Sequence, residues 1–299
     1  MTNILAVGIA TIDIINTTER FPQEDDEVRA ISQEIRRGGN ATNTLVVLSQ
    51  LGHQCEWIGC MAEDSSARLI GRDLDSYGIA YSHCEKHASG ATPTSYITLN
   101  RQNGSRTIVH YRNLPELSAA SFNKLPLEKF DWIHFEARNV EETRHMISRA
   151  INMEKTVPIS IEIEKHRENL QALFTDADYY FFSKAFATSG GGKECFSTAE
   201  ELLRHYRKLI PEAILVCTWG EKGAYALKDN QLYYSPAPQV DLVVDTIGAG
   251  DTFIAGFIHA TLSKDQSGNQ ADSDLSARMN YACTLAAKKC AVYGFNNLN

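Results

Sequence analysis

The sequence has little of what marks secreted or membrane proteins. Its seven cysteines form an odd number without a Cys-x-x-Cys pair, which argues against a disulfide framework or a structural zinc site and favours free thiols in a cytoplasmic protein. No charge-free apolar run approaches the ~20 residues of a membrane helix. The amino-terminal stretch lacks a basic segment and is interrupted by Asp13, so it is interpreted as a buried strand rather than a signal peptide. We therefore expect no membrane partner.

Positive charge is also scarce, because 29 Lys and Arg face 37 Asp and Glu, which gives a formal net charge of −8. A nucleic-acid footprint needs clustered basic residues, and the short pair Arg36-Arg37 is interpreted as a solvated strand end. We therefore expect no nucleic-acid partner. The 299 residues, 43% hydrophobic and 22% charged, are typical of a globular protein with a sizeable core. No composition shift or linker divides the chain, which predicts one domain over residues 1–299.

Short apolar runs alternate with segments of helical period along most of the chain. Strands are predicted at 4–10, 132–137, 158–164, 179–183 and 213–219, and helices at 40–51, 65–77, 141–152, 197–210, 249–262 and 272–291. Strands buried on both faces and alternating with helices are typical of a mostly parallel sheet in an α/β layer structure.

One region breaks this alternation and predicts a second, smaller sheet. The β-rich runs PTSYITLN and SRTIVHYR flank an Asn-Gly pair at 103–104, a strong hairpin signal. The segment 27–37 is also predicted to be a strand with one polar face. We expect these pieces, within about 14–37 and 91–113, to form a lid over a binding site. Its exposed strand edges would offer a dimer contact.

The most informative motif follows a predicted strand that ends at Asp245. Gly248-Ala249-Gly250-Asp251 leads directly into an apolar helix, and the free N–H groups at a helix start form an anion site. A carboxylate beside such a site is suited to accept a hydroxyl proton in phosphoryl transfer. We expect Asp251 to have an ordinary pKa and to be ionised at neutral pH. The structural alternative is a glycine turn in which Asp251 only complements the helix dipole.

Polar residues near two other predicted strand ends could hold a polyhydroxylated ligand. Asp13 is predicted to lie just past the first strand, where ligands bind in open α/β sheets. Gly39, Asn40 and Asn43 open the next helix, with Asn40 as its predicted N-cap. One carboxylate and two carboxamides supply the donors and acceptors that a sugar needs. A purely structural role in capping and turns explains these residues about equally well.

Other motifs fail as functional signatures. Gly190-Gly191-Gly192-Lys193 lacks the first P-loop glycine and is interpreted as a loop. Residues 220–223, Gly-Glu-Lys-Gly, are interpreted as a hairpin turn. His83 and His87 lack a zinc-binding helix context and are interpreted as surface histidines.

Taken together, these motifs resemble those of the ribokinase-like, or phosphofructokinase-B, family. DTIGAGDTF matches the family's carboxy-terminal signature and RGGNATN its amino-terminal glycine motif. NGSRTIVHYRNLPELS, WIHFEARN, IEIEKHRENL, FFSK, LVCTWGEKGA and AAKKCAVYGF resemble the members that phosphorylate ketohexoses. The matches run in order from about residue 4 to 295. The resemblance implies a three-layer α/β/α sandwich with a mostly parallel central sheet and a small β-sheet lid.

The resemblance also implies an activity, the transfer of the ATP γ-phosphate to the 1-hydroxyl of fructose or a related ketose. It makes Asp251 the catalytic base and Gly248, Ala249 and Gly250 the anion hole. The other implied roles are sugar binding for Asp13, Gly39, Asn40, Asn43 and Asp251, and nucleotide binding for Arg106, Gly220, Glu221, Lys222, Gly223, Gly248, Ala249, Gly250 and Cys283. The implied partners are sugar, ATP, Mg²⁺ and a second copy of the chain.

Several points stay open at this stage. Ser183 and Phe186 stand where many relatives have Asn-x-x-Glu, so the magnesium ligands are unknown, and a potassium requirement is open as well. The acceptor could instead be ribose, a nucleoside or an aminated sugar. A non-catalytic sugar or nucleotide sensor is the alternative from a different class, although the presence of Asp251 weighs against it.

Overall fold

The computed structural model describes residues 1–102, 104–174, 176–189, 194–265 and 275–298. Its strands are β1 Asn3–Val7, β2 Thr11–Thr18, β3 Ser32–Gly38, β4 Gln54–Ile58, β5 Cys60–Ala62, β6 Glu85–His87, β7 Thr94–Asn100, β8 Arg106–Tyr111, β9 Trp132–Glu136, β10 Ile159–Ile163, β11 Tyr179–Ser183, β12 Ile214–Thr218, β13 Ala224–Lys228 and β14 Gln231–Ser235. Its helices are α1 Asn40–Gln50, α2 Ser65–Ser76, α3 Ala119–Phe122, α4 Val140–Ile151, α5 Lys184–Thr188, α6 Ala199–Arg207, α7 Ala249–Asp265 and α8 Leu275–Cys290.

The main sheet has eight strands in the order β14-β13-β12-β11-β10-β9-β1-β4. The six strands from β12 to β4 run parallel, while β13 and β14 are antiparallel additions at one edge. Every residue of β9 and β10 is buried, as expected for parallel strands covered on both faces. The predicted, mostly parallel central sheet is therefore confirmed.

Two hydrophobic clusters, one on each face of this sheet, give the molecule three layers. One cluster contains apolar side chains of α4, α5 and α6, including Met146, Phe186 and Leu202. The other contains side chains of α1, α2, α7 and α8, including Leu45 and Phe257. The sandwich places the amino-terminal ends of α1 and α7 at the same edge of the sheet, where the two helices pack together.

A separate four-stranded sheet has the order β3-β2-β7-β8. The strands β7 and β8 form an antiparallel hairpin in which Leu99 pairs with Arg106, as predicted. Asn103, the first residue of the predicted turn pair, lies outside the described residues, as does the predicted loop 190–193. One face of this sheet exposes Ile35, Tyr96, Val109 and Tyr111, whereas Ile108, next to Val109 on β8, is exposed on the opposite face.

Two strand predictions near the amino terminus are wrong in their bounds. The predicted strand 27–37 begins only at Ser32, because its partner β2 ends at Thr18 and Thr17 already pairs with Ser32. The predicted strand 4–10 ends at Val7, and Asp13 does not follow that strand but lies within β2 of the small sheet. In the part of the chain that the structure describes, no helix is both long and apolar enough to cross a membrane.

Candidate active site

Asp251 lies in the first turn of α7 and is almost completely buried. Asn43, in the first turn of α1, donates a hydrogen bond from Nδ2 to Asp251 Oδ2 at 2.7 Å. The two residues are 208 positions apart in the chain, and the packing of α1 on α7 brings them together. The motif carboxylate and one predicted sugar ligand therefore share one site.

Arg37 fixes the orientation of this pair. Its guanidinium Nη1 donates to Asn43 Oδ1 at 2.6 Å and to Thr42 Oγ1 at 3.0 Å, and its Nε donates to Asp73. Because Asn43 uses Oδ1 to accept from Arg37, its amide must present Nδ2 to Asp251. The interpretation of Arg37 as a solvated strand end is wrong, since only 5% of this residue is exposed.

The expectation of an ordinary pKa for Asp251 is also wrong. Burial, together with the negative charges of Glu164 and Glu136, raises the pKa of Asp251 to about 7. The hydrogen bond from Asn43 and the charge of Arg37 act in the opposite direction. The helix dipole lowers the pKa of a carboxylate at this position, but the removal of the carboxylate from water raises the pKa by more. A carboxylate with a pKa near the working pH is a stronger proton acceptor than an ordinary one.

This arrangement predicts that Arg37 sets the pH range in which Asp251 is ionised. In Arg37→Gln the positive charge is removed, so the pKa of Asp251 should rise above about 7. We expect the acidic limb of the kcat/KM profile, measured with excess Mg²⁺, to move to higher pH. Arg37→Lys keeps the charge and should leave the limb closer to its wild-type position. An acidic limb that is identical in wild type and Arg37→Gln would contradict the role given to Arg37.

Asp13 lies beside the glycine turn that precedes α1. Its Oδ1 accepts a hydrogen bond from Thr11 Oγ1 at 2.9 Å, and a Cβ on Gly38 would come within 2.2 Å of its carboxylate. Gly39 has φ 104°, and a Cβ there would lie 2.2 Å from the carbonyl oxygen of Ile9. The two glycines therefore let the turn approach Asp13 closely. Burial raises the pKa of Asp13, as it does that of Asp251.

Asn40 is not an N-cap, because α1 begins at Asn40 and the cap residue is Gly39, which makes no side-chain cap bond. Instead, Asn40 Nδ2 donates to Glu162 Oε1 at 2.9 Å. Glu162 is the penultimate residue of β10. Its Oε2 is buried without a hydrogen-bond partner among the described residues. Burial, followed by the charge of Asp251, raises the pKa of Glu162 well above its ordinary value.

Glu136, the last residue of β9, connects β9 to α1 and to the loop after β1 by hydrogen bonds. Its Oε1 accepts from the backbone N–H groups of Ala41 at 2.7 Å and Ile9 at 3.1 Å. Neither Glu136 nor Glu162 was predicted as a site residue. Their position at the carboxyl ends of buried strands is a sequence signal that could have identified them.

A cavity of about 740 Å³ opens at the start of α7. It is lined by seven of the predicted nucleotide-binding residues: Arg106, Gly220, Glu221, Gly223, Ala249, Gly250 and Cys283. Apolar residues of α8 and of the segment 237–243 line the rest, including Ala286 and Val243. The cavity has a polar end beside a helix amino terminus and an apolar end. Such a cavity suits a nucleotide, because the phosphates need polar contacts and the base needs apolar ones.

The three predicted anion-hole residues differ in whether they line this cavity and in whether their backbone is open to a ligand. Nothing lies within 4 Å of a Cβ built on Gly250, so its backbone is open to a ligand. The N–H of Ala249 donates to the carbonyl oxygen of Thr246 at 3.3 Å, a bond that it would have to exchange for a phosphate oxygen. Gly248 does not line the cavity; it has φ 82° and packs against the ring of Phe295, which a Cβ would contact at 2.2 Å.

The remaining predicted nucleotide ligands lie on the small sheet and on the turn between β12 and β13. Arg106, the first residue of β8, donates from Nη1 to Thr246 Oγ1 at 2.9 Å and so links the small sheet to the α7 motif. Residues 220–222 form one short helical turn between antiparallel strands, as the hairpin interpretation predicted. Lys222 does not line the cavity, whereas its neighbours Glu221 and Gly223 do.

The aspartate that begins the DTIGAGD motif anchors the site. Asp245 Oδ2 forms ion pairs with Arg36 at 2.9 Å and with the fully buried Lys289 at 3.1 Å. Its Oδ1 accepts from the N–H of Ile247 at 2.9 Å. Arg36, interpreted with Arg37 as solvated, is therefore an anchor between β3 and the loop before α7.

The fold and the site define a class: an α/β kinase with a buried aspartate between a polar pocket and a cavity at the start of α7. The sequence profile of the pfkB family carbohydrate kinases matches residues 1–299. The chain is 41% identical to the ketohexokinase of Mus musculus over 304 aligned positions, which cover 99% of this chain and 98% of the mouse protein. It is 27% identical to the fructosamine kinase FrlD of Bacillus subtilis, over 97% and 92% of the two chains.

Solved structures agree on the fold. The ribokinase of Giardia lamblia superimposes with a TM-score of 0.86 at 15% identity, over 100% of this chain and 96% of that one. The Arabidopsis thaliana ribokinase, solved with ribose and ATP, gives 0.75 at 19% identity, over 98% and 94%. The chain belongs to the pfkB family of carbohydrate kinases. The predicted ribokinase-like sandwich and the predicted ATP-dependent sugar-kinase class are confirmed.

Proposed function

We propose that the chain is a ketohexokinase, which transfers the γ-phosphoryl group of ATP to the 1-hydroxyl of fructose or a related ketose. The observation that carries the proposal is the buried Asp251, held by Asn43 and placed at the helix start that borders the nucleotide cavity. The 41% identity to a ketohexokinase over nearly the full chain supports the choice of acceptor.

In this mechanism the sugar lies between β2 and α1. Asp13 accepts hydrogen bonds from sugar hydroxyls, while Asn40 and Asn43 offer amide groups at the start of α1. The 1-hydroxyl reaches Asp251, which takes its proton as the hydroxyl oxygen attacks the γ-phosphorus. The bond from the γ-phosphorus to the bridging oxygen breaks, and ADP leaves with the electron pair. Because such transfer is largely dissociative, proton removal is needed late and one carboxylate suffices as the base.

The transferred group carries negative charge that the chain must neutralise. At the cavity, this charge is neutralised by the guanidinium of Arg106 and by the N–H groups of Gly250 and Asp251 at the start of α7. Mg²⁺, when bound with ATP, shields the phosphate oxygens. The buried Glu162 is the residue we propose to hold it, because its Oε2 has no hydrogen-bond partner among the described residues. A potassium requirement stays open.

An acceptor panel tests the proposed function. We expect ADP release with fructose to have a kcat/KM well above that with ribose, a nucleoside or fructosamine. A higher kcat/KM for one of these three would move the chain to another kinase of the family. Absence of ADP release with every acceptor, in a chain that still binds ATP, would favour the sensor alternative.

Arg106 provides a matched test of the nucleotide assignment. Removing its charge in Arg106→Gln should raise the KM for ATP about tenfold or more, because hydrogen bonds to charged groups contribute ~1.5–3 kcal/mol. The KM for the sugar should change little. Arg101→Gln is the control, because Arg101 lies near the same hairpin turn but pairs with the exposed Glu19. An equal effect of both variants on the KM for ATP would contradict the assignment.

We further propose that the small sheet is both a lid and a homodimer contact. The face that carries Val109, which is 66% exposed, also exposes Tyr96, Tyr111 and Ile35, and contiguous exposed apolar patches mark interaction sites. Cytoplasmic location remains a prediction from the cysteine pattern.

A single charge on this face tests the contact. We expect wild type to elute as a dimer in size-exclusion chromatography with light scattering, and Val109→Asp to elute as a monomer. Tyr234→Asp is the control, since Tyr234 is 51% exposed on the edge strand β14 of the main sheet. A monomeric wild type, or a dimeric Val109→Asp, would remove the small sheet from the contact.

A further inference from the structure

Three side chains with metal-binding atoms meet outside the candidate active site. The strands β5 and β6 pair in parallel, with Cys60 opposite Glu85 and Ala62 opposite His87. Residues two apart on a strand share a face, so Glu85 and His87 project to the same side, and Cys60 lies beside Glu85. A sulfur, a carboxylate oxygen and a ring nitrogen of the three residues all lie within 4.8 Å of one another.

Glu85 is held in place by groups that leave one of its oxygens available. Its Oε2 accepts hydrogen bonds from the hydroxyls of Ser121 at 2.8 Å and Ser118 at 2.9 Å. Such outer hydrogen bonds orient metal-binding carboxylates. The other oxygen, Oε1, lies 3.2 Å from Nε2 of His87.

His87 and Cys60 supply the other two atoms. The Nε2 atom of His87 is enclosed and lies 3.2 Å from Glu85 Oε1, yet it has no hydrogen-bond partner among the described residues. When the His87 ring is protonated, this contact is an ion pair, and a metal ion between the two atoms would take the place of that proton. Cys60 is a half-buried free cysteine at the start of β5 and supplies the sulfur atom. His87, interpreted from the sequence as a surface histidine, is half-buried, with its side chain 22% exposed.

We propose that Cys60, Glu85 and His87 bind a Zn²⁺ ion. Zinc takes thiolate, imidazole and carboxylate ligands in a tetrahedron, and three protein ligands leave the fourth position for water. Magnesium and calcium are disfavoured, because both prefer oxygen ligands throughout.

The charges and protons of this binding step balance without a redox partner. His87 donates the lone pair of Nε2 as a neutral ring, and Glu85 binds as the carboxylate. Cys60 loses its thiol proton to solvent as the S–Zn bond forms. One thiolate and one carboxylate then neutralise the two charges of the ion. The nearby Arg112 guanidinium is paired with Glu116, which limits its repulsion of the metal.

Zinc titration of the full chain tests this site. Chelator-treated protein without nucleotide is titrated with zinc sulfate against a chromophoric chelator. We expect one ion per chain, with affinity reduced roughly 100-fold or more in Cys60→Ser and His87→Ala. Ser118→Ala should cost less, about tenfold, because it acts only on the orientation of Glu85. Thermal unfolding without zinc shows whether each variant is folded.

Two control variants separate this site from other thiols and histidines. Cys195→Ser removes an exposed cysteine, and His83→Ala removes a histidine that is paired with Glu56; both should bind zinc as wild type does. With Co²⁺ as the probe, a thiolate-to-metal charge-transfer band should disappear in Cys60→Ser and persist in Cys195→Ser. Zinc affinity equal in wild type and Cys60→Ser, or a band lost only in Cys195→Ser, would overturn the proposal.

Discussion

Replacing Asp251 by Asn should lower kcat for sugar phosphorylation by roughly two or more orders of magnitude, the scale of a lost general base. The substitution keeps the shape of the side chain and an oxygen that can accept from Asn43 Nδ2. It removes the negative charge and the affinity for the sugar proton. Steady-state kinetics at saturating sugar and ATP measures the effect.

Nucleotide binding and stability serve as controls for this variant. ATP affinity should persist, because the cavity and the first N–H groups of α7 are unchanged. The raised pKa means that the folded state binds the Asp251 proton more tightly than the unfolded chain does, so stability falls as the pH rises from about 4 to about 7 and the full penalty is present above pH 7. Asp251→Asn should therefore unfold at a higher temperature than wild type at pH 8, with a smaller difference at pH 5. A near-normal kcat would remove Asp251 from the chemistry.

Asp13→Ala should raise the KM for the sugar about 100-fold, since a hydrogen bond to a charged group contributes up to ~3 kcal/mol. Asp13 is 7% exposed and is enclosed by the glycine turn before α1, so no other carboxylate can replace it there without moving the backbone. Initial rates at varied sugar and fixed saturating ATP give the KM. The KM for ATP should change little, because Asp13 does not line the nucleotide cavity.

Asp13→Asn is the matched control for this prediction. It keeps one oxygen acceptor for Thr11 and for the sugar but loses the charge, so its KM for the sugar should fall between those of wild type and Asp13→Ala. Equal increases in the KM for sugar and for ATP in Asp13→Ala would point to a structural role of Asp13 in the turn.

The layered fold could be predicted because each parallel strand and its covering helix leave a local apolar pattern. The predicted helix 40–51 agrees with α1 to within one residue, and Gly52 has the positive φ expected of a helix stop. The strands β2, β4, β5, β6 and β14 were missed, and the strand predicted to end at Asp245 is wrong, because the described residues between β14 and α7 form no strand. Three residues are too few for a periodic signal in β5 and β6, and β14 is mostly half-exposed at the sheet edge.

The site could be predicted only where a motif is local. Gly250 and Asp251 belong to one short segment, whereas the bond from Asn40 to Glu162 spans 122 residues. Arg37 was misjudged because its role depends on a salt bridge to Asp73 and on contacts across the turn into α1. The raised pKa of Asp251 comes from burial, from Glu136 on β9 and from Glu164 just after β10, which no local pattern reveals.

The central claim is that the chain phosphorylates the 1-hydroxyl of a ketohexose with Asp251 as the base. The most direct measurement combines ADP release from fructose and ATP with phosphorus NMR of the sugar product, for wild type and Asp251→Asn in parallel. We predict a product esterified at carbon 1 from wild type, and ADP release that is at least roughly 100-fold slower from Asp251→Asn. A product phosphorylated at another hydroxyl, or equal rates from the two proteins, would contradict the account.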